Sequence, residues 1–569
     1  MGLYLLDYGA GNVQSLANTL TKLGYEFQWI ASPDDFDKAT SLLFPGVGAF
    51  GTAIDGLKSR GCLEPLRKYI ASGRPYFGIC IGMQVLFETS AESPQHAGLG
   101  IIPSRIEEFS RKDKSVPHMG WNTIEFLDPE HKVNEGLDPS LHYYYVHSYR
   151  AKYDWTHVEA AQWAHSTTQY GQEVFVASVC KDNVFATQFH PEKSGQAGLK
   201  LLAGWLSQPQ AGRTSVSPTT PVPRPPKAKH GLTKRIVACM DVRSNDDGDL
   251  VVTKGDQYDV REKAPSVSDG TDTGGLATRT AGAVRNLGKP VALAARYYSA
   301  GADELCLMNI TSFRHSPLRD QPMLAVVRAA AEEVFVPLTI GGGIKDTVDP
   351  DGTAHSALEV AGAYFRAGAD KVSVATEAVY AVERMRERTA DGGVGEGDGT
   401  SAIETIAHAY GRQAVVVSID PRRVYVEPDY DGPYKGELVF GKPGGAEKER
   451  GKAWWYQCTV KGGRENRPLS VVQLAKGVEK LGAGEIILNS IDRDGTGLGF
   501  DVDLVALVRR SVRIPIVASS GAGKPEHFVE VFAKTDVEAA LAAGIFHREE
   551  VSIQDVKQAL STAGSSVRI

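Results

Sequence analysis

From its first residues the chain alternates short apolar runs with longer stretches in which apolar and polar positions recur at helical spacing. Residues 3–6, 41–44, 75–79 and 184–189 are such runs, and each reads as a buried strand of an α/β domain. The pattern stops between 207 and 234, where Pro209, Pro218, Pro221, Pro223, Pro225 and Pro226 stand among Ser, Thr and Lys. A segment of that composition builds no core and predicts an extended, partly stiff tether. It divides the chain into domains 1–206 and 235–569.

Beyond the tether the pattern repeats itself. Arg235-Ile236-Val237-Ala238-Cys239-Met240-Asp241 is echoed by Ala414-Val415-Val416-Val417-Ser418-Ile419-Asp420. Gly301-Ala302-Asp303-Glu304 returns as Gly482-Ala483-Gly484-Glu485, and the Gly341-Gly342-Gly343 turn as Ser519-Ser520-Gly521. Four strand signals, each followed by a helix-length segment, occur twice, and two such halves predict a (β/α)8 barrel. Three segments fall outside the repeat. Residues 384–400 predict a mobile loop without catalytic content. Residues 258–275 follow the first barrel strand and would lie over the active face, either as a lid or disordered. Residues 427–467, with Trp454 and Trp455, exceed what a minimal barrel needs and suggest no function.

The chemistry-bearing residues sit where these elements end. Tyr76-Phe77-Gly78-Ile79 leads into Cys80, then Gly82 and a helix-like stretch, the pattern of a nucleophile on a sharp strand-to-helix turn. A helix N-terminus there would favour thiolate. The run 184–189 delivers His190, with Glu192 two residues on, as a base and the carboxylate that orients it. Pro45-Gly46-Val47-Gly48 offers backbone amides for an oxyanion hole, together with the amide that follows Cys80. The aromatic run 143–149 fits either core or the border of a binding site. In the second part, Asp241 and Asp420 end matching strands, across the barrel mouth from one another, as a general acid–base pair. Glycine and hydroxyl turns at Gly342, Ser373–Thr376, Ser519–Ser520 and Gly544 suit phosphate on two sides of that mouth. Arg235, Glu304, Lys371 and Glu485 belong near the strand starts, where spacing alone fits a ring of stabilising ion pairs.

Composition narrows the class. The 569 residues are 42% hydrophobic and 23% charged, with net charge −7 and pI near 6.1, which gives no nucleic-acid footprint. Six cysteines without paired spacing predict reduced thiols, and the absence of a CxxC pair or a His/Cys cluster predicts no metal. No apolar run approaches the ~20 residues that span a bilayer. The opening Met1-Gly2-Leu3-Tyr4-Leu5-Leu6 reads as a strand, so a cytoplasmic location is expected.

On Asp7-Tyr8-Gly9-Ala10-Gly11-Asn12, the Cys80 turn and the His190/Glu192 ending, residues 1–206 resemble the class I glutamine amidotransferases. On Ala238-Cys239-Met240-Asp241-Val242, Ile491-Asp492-Arg493-Asp494-Gly495-Thr496 and Phe546-His547, residues 235–569 resemble the cyclase barrel of histidine biosynthesis. Their order resembles the bifunctional imidazole glycerol phosphate synthase family of fungi and plants. The resemblance implies that Cys80 opens the side-chain amide of glutamine, with Val47, Gly48, Gln84, Ser148 and Tyr149 around the substrate. It implies that ammonia enters the barrel past a gate of Arg235, Glu304, Lys371 and Glu485. At the far mouth Asp241 and Asp420 would then cyclise a ribonucleotide with a phosphate at each end. Lys254, Gly342, Ser373, Thr376, Asn489, Asp494, Gly495, Ser519, Ser520 and Gly544 match positions that contact that substrate. Asn12, Trp121, Tyr144, Lys193, Asp370 and Gln413 match the domain interface. Asn309, Asn489 and Ala375 depart from the residues usual in stand-alone barrels. No cofactor and no obligate protein partner is implied, and one tethered chain suffices as a monomer.

Overall fold

The two-residue alternation of apolar side chains along the early strands is resolved by burial on both faces of one sheet. A computed structural model describes every residue except 1, 10, 130–135, 215, 245–249, 254–287, 311–317, 319–321, 390–392 and 445–446. The first domain holds an eight-stranded mixed sheet in the order Gln28–Ile30, Leu3–Leu6, Ser41–Phe44, Tyr76–Ile79, Val184–Thr187, Glu173–Lys181, Ala164–Tyr170, Glu125–Phe126. The first five strands are parallel and the last three run antiparallel. Tyr4, Leu6 and Phe44 join one hydrophobic layer and Leu3, Leu5 and Leu43 the other, the period-two pattern of a sheet covered on both sides.

The second domain closes on itself. Its parallel strands are Arg235–Ser244, Glu304–Asn309, Leu338–Gly341, Lys371–Val374, Val415–Ile419, Glu485–Leu488, Ile516–Ala518 and Ala539–Ala542. Each pairs with the next, and the last returns to the first with Arg235 opposite Ala539. The alternation recurs in the round. Ile236, Ala238 and Met240 face the surrounding helices, while Val237, Cys239, Val416 and Ile487 fill the lumen.

Pro421–Val426, Val439–Phe440, Ala453–Val460 and Glu465–Ser470 form a separate antiparallel sheet built out of the fifth barrel strand. Trp454 lies under the Arg423 guanidinium at 4.5 Å, and Trp455 stacks on Tyr434 at 3.9 Å, so the insertion carries its own small core. The expected loop 384–400 begins inside a helix, Thr376–Glu387, because the apolar spacing of Val379, Val382 and Met385 continues past Arg384. The segment 258–275 lies outside the described residues. The proline-rich tether is docked and not free. Val216 pairs with Asp182, Tyr153 donates to the Val222 carbonyl and the Arg224 side chain to that of Phe126, so the tether is bonded to the first domain along its length. Among the described residues no helix is long and apolar enough to cross a membrane.

The domains meet on the N-terminal rim of the barrel. Trp121 and Tyr144 of the first domain belong to the same buried cluster as the barrel strands. Trp121 Nε1 donates to the Asp303 carbonyl at 3.0 Å, and the Arg568 guanidinium covers its ring at 4.1 Å. Helix Gly195–Ser207 crosses the Pro191–Lys193 turn at Gly198, where a Cβ would lie 1.7 Å from the Pro191 carbonyl oxygen. Gly198→Ala is therefore expected to cost about 1–3 kcal/mol, seen as a lower melting temperature. Gly212→Ala, at a position with nothing within 4 Å, should leave the melt unchanged.

Candidate functional site

Cys80 follows strand Tyr76–Ile79 in a conformation that a side-chain-bearing residue seldom adopts, with φ 49° and ψ −100°. Tight packing forces this turn. A Cβ at Gly78 would lie 2.3 Å from the Gly82 carbonyl oxygen, and one at Gly82 would lie 2.2 Å from that of Phe44. The helix behind the thiol is one turn long, Ile81–Gln84, so the expected helix-dipole support reduces to a few local amides. The Cys80 amide donates to the Thr187 carbonyl at 2.7 Å, which ties the turn to strand Val184–Thr187. That strand carries the chain on to His190, whose amide donates to the Tyr144 carbonyl at 2.9 Å.

The short turn after His190 swings Glu192 back beneath the ring, with Nδ1 to Oε1 at 2.8 Å and both side chains buried. Burial alone would push the imidazole down. The Glu192 carboxylate and the Cys80 sulfur outweigh it, and His190 is held up to about 10. Gln84 is buried. So is Gln188, which the sequence reading passed over although it stands inside the strand-to-histidine motif; its Nε2 lies 3.4 Å from Cys80 Sγ. Tyr8, equally unforeseen, donates to the Val47 carbonyl at 2.6 Å and so fixes the turn that carries Gly48. Ser148 is buried, and its Oγ has no hydrogen-bond partner among the described residues.

A cavity of about 20 Å³ lies against the sulfur. Gly46, Val47, Gly48, Cys80 and His190 line one side, and Asp370, Gln413 and Ala414 of the barrel the other. That is room for one molecule the size of water. Asp370 fastens the seam. It receives Lys193 Nζ at 2.8 Å and Asn12 Nδ2 at 2.9 Å.

Across the barrel floor stand four buried charges. Arg235 meets Glu304 at 2.7 Å and Glu485 at 2.5 Å, and Lys371 meets the same two carboxylates at 2.6 and 2.5 Å. Each cation touches both anions, which closes a neutral square. Burial would raise the Glu304 carboxyl, but Lys371 and Arg235 hold it below its usual range. Lys371 Nζ also touches the Met119 sulfur of the first domain at 3.4 Å.

At the opposite end Asp241 and Asp420 line one cavity of about 490 Å³ together with Gly342, Ser373, Thr376, Asn489, Asp494, Ser519 and Ser520. Gly495 and Gly544 line an adjoining cleft of about 300 Å³ that shares Asp494, Ser519 and Ser520. Asn489 donates to Asp420 Oδ1 at 2.6 Å and so orients that carboxylate, as well as bordering the cavity. The buried Ser373 Oγ has no partner among the described residues. Lys254 lies outside the described residues. The described sequence-derived positions thus gather into four groups, at the sulfur, at the barrel floor, at the barrel mouth and along the seam between the domains.

The His190 environment generates a pH test. A raised folded-state value stabilises the fold fully below the ordinary imidazole value of 6.5, and that contribution is lost as pH rises toward about 10. Glu192→Gln removes the main raising influence. The melting-temperature gap between wild type and this variant should be widest near pH 6 and shrink steadily toward pH 10. A gap independent of pH would refute the charge pairing.

Comparison with known proteins assigns each domain to a family. The family model for class-I glutamine amidotransferases matches residues 4–206, and that for histidine biosynthesis proteins matches 235–394 and 397–552. The imidazole glycerol phosphate synthase hisHF of Emericella nidulans is 52% identical over 570 residues, covering 100% of this chain and 98% of the relative. The protein of the same name from Schizosaccharomyces pombe is 50% identical, covering 99% of each chain. The chloroplastic protein of Arabidopsis thaliana is also 50% identical, over 99% of this chain and 89% of its own. The chain belongs to the bifunctional imidazole glycerol phosphate synthases, glutamine-dependent enzymes of histidine biosynthesis in which a class I amidotransferase precedes a cyclase barrel.

Proposed function

We propose that Cys80, His190 and Glu192 release ammonia from glutamine, and that Asp241 and Asp420 spend it at the far end of the barrel. His190 takes the thiol proton, and the sulfur attacks the side-chain amide carbon. The developing oxyanion is received by backbone amides at Val47 and after Cys80, while Gly48, Gln84, Ser148 and Tyr149 hold the amino acid. His190 returns its proton to the departing nitrogen, ammonia leaves, and a glutamyl thioester remains. Water, deprotonated by His190, hydrolyses it to glutamate and restores the thiol.

Ammonia then crosses the square of Arg235, Glu304, Lys371 and Glu485, which serves as a gate, and enters a lumen walled by Val237, Val416, Ile487 and Val517. An apolar wall favours the neutral base over ammonium. At the mouth the substrate is phosphoribulosyl-formimino-aminoimidazole carboxamide ribonucleotide. One phosphate rests at Gly342, Ser373 and Thr376, the other at Asp494, Gly495, Ser519, Ser520 and Gly544. Asp241 and Asp420 act as acid and base while the incoming nitrogen forms an imine, the chain is cleaved and the imidazole ring closes. The products are imidazole glycerol phosphate and the aminoimidazole carboxamide ribotide. One chain carries both reactions, so no second protein is needed. Its six buried free thiols suit the reducing cytosol as its place of action.

The observation that carries this reading is the small cavity at Cys80, walled on its other side by barrel residues, with the two aspartates facing a second cavity at the opposite end. Cys80→Ala should lower glutamine-driven cyclisation by roughly 10³-fold or more and leave ammonia-driven cyclisation within two-fold of wild type. Asp241→Asn should abolish both. Glutamine-driven turnover persisting in Cys80→Ala would overturn the assignment of the nucleophile.

A further inference from the structure

The glutaminase centre contains a buried amide to which the steps above give no task. Gln188 is fully buried, and its side chain reaches the Cys80 sulfur at 3.4 Å. Which amide atom faces the sulfur follows from the network. The Tyr149 carbonyl can only accept, and it receives Gln84 Nε2 at 3.1 Å and His147 Nδ1 at 2.8 Å. The same Gln84 Nε2 reaches Gln188 Oε1 at 3.0 Å. Gln188 is thereby left to aim its N–H at the sulfur.

The other branch is equally directed. Because His147 donates through Nδ1, its Nε2 must accept, so His118 Nδ1 carries the proton between them at 3.1 Å. His118 Nε2 then accepts from Asn122 Nδ2 at 3.2 Å. A second proton on either ring would set N–H against N–H. Burial keeps both rings neutral, pushing His118 well below the usual imidazole range and His147 down to about 3. Aromatic packing holds the ring planes: His118 stacks on Tyr170 at 4.3 Å and His147 lies against Phe109 and Phe175. The chain of bonds starts on strand His118–Asn122. That strand's Met119 touches Lys371 of the charged square, and its Trp121 docks on the barrel.

We infer that Gln188 is a further catalytic residue of the glutaminase centre, its amide N–H stabilising the Cys80 thiolate, and that His118 and His147 are positioning residues that hold the Tyr149 carbonyl in place, on which Gln84 and through it Gln188 are oriented. A donor aimed at a charged sulfur favours the thiolate over the thiol and sustains the nucleophile. The inference rests on the assignment of Cys80 as nucleophile. It adds a continuous network of hydrogen bonds from the barrel-facing strand to the reacting sulfur, with His147 and Gln84 both donating to the Tyr149 carbonyl.

The test uses the full-length chain and follows alkylation of Cys80 by iodoacetamide against pH, read by mass spectrometry of the Cys80 peptide, alongside glutamate release. Gln188→Leu should move the alkylation midpoint up by about one pH unit and reduce glutamate release about 10- to 100-fold. The near-isosteric Gln188→Glu, which sets a carboxylate against the sulfur, should move the midpoint at least as far. Ammonia-driven cyclisation within two-fold of wild type shows that each variant is folded, and should Gln188→Leu fail this, Gln188→Glu carries the test. His118→Leu should shift the midpoint in the same direction, and His118→Asn, which restores an N–H at the Nδ1 position, should recover most of it. Midpoints unchanged in both Gln188 variants would overturn the catalytic role. A midpoint moved by Gln188→Leu but not by His118→Leu would overturn the positioning role of the histidines. Failure of the underlying nucleophile assignment would show differently, as glutamate release that survives Cys80→Ala.

Discussion

Two cations and two carboxylates, fully buried at the floor of the barrel, set the conditions for everything around them. Removing any one would strand an uncompensated charge, which typically costs about 3–5 kcal/mol. The square therefore pins four separate strands to one geometry. The residue just before each of two corners faces the other way and builds the seam between domains. Asp303, next to Glu304, receives the Ile236 amide, Lys557 and Arg568, and its carbonyl takes the Trp121 indole. Asp370, next to Lys371, receives Lys193 and Asn12. Strand alternation thus divides consecutive residues between the lumen and the interface, so the floor and the docking of the first domain are one construction.

Cys80 sits just across that seam, and its own geometry is costly. A non-glycine residue at φ 49° stores strain that only the surrounding packing can hold. The carbonyls of Phe44 and Gly82 come so close that glycines are required on both sides of Cys80. The His190 strand is locked alongside by register, Thr187 opposite Ile79. A turn held this firmly places the sulfur against a cavity bounded by both domains.

Much of this was legible in the sequence because strands repeat with period two and the barrel repeats itself. The eight barrel strands and the two strand-end aspartates followed from the internal echo. The Cys80 and His190 pair followed from residue types at strand ends. The docked tether was not legible, because its hydrogen bonds go to side chains and carbonyls far away in the chain, such as Gln169 and Phe126. The sheet around Trp454 and Trp455 was also missed, since its partners, Arg423 and Asp501, lie on either side of the insertion. Gln188 was hidden for a related reason. An amide inside an apolar run reads as an interruption until the fold brings Gln84 and Cys80 to it. Asn489 stood out both as a substrate-contact position and as an unusual residue there, and its bond to Asp420 gives that departure a physical sense.

Passage of ammonia through the barrel is tested most directly by isotope competition. Turnover with glutamine labelled with 15N in the side-chain amide, in the presence of excess unlabelled ammonium, distinguishes an internal path from release into solvent. Nearly complete 15N at the one ring nitrogen that glutamine supplies, matched one-to-one with glutamate formed, is the predicted result. A label diluted in proportion to the ammonium in the medium would show that nitrogen leaves the protein between the two centres, and would contradict a closed route from Cys80 to Asp241 and Asp420.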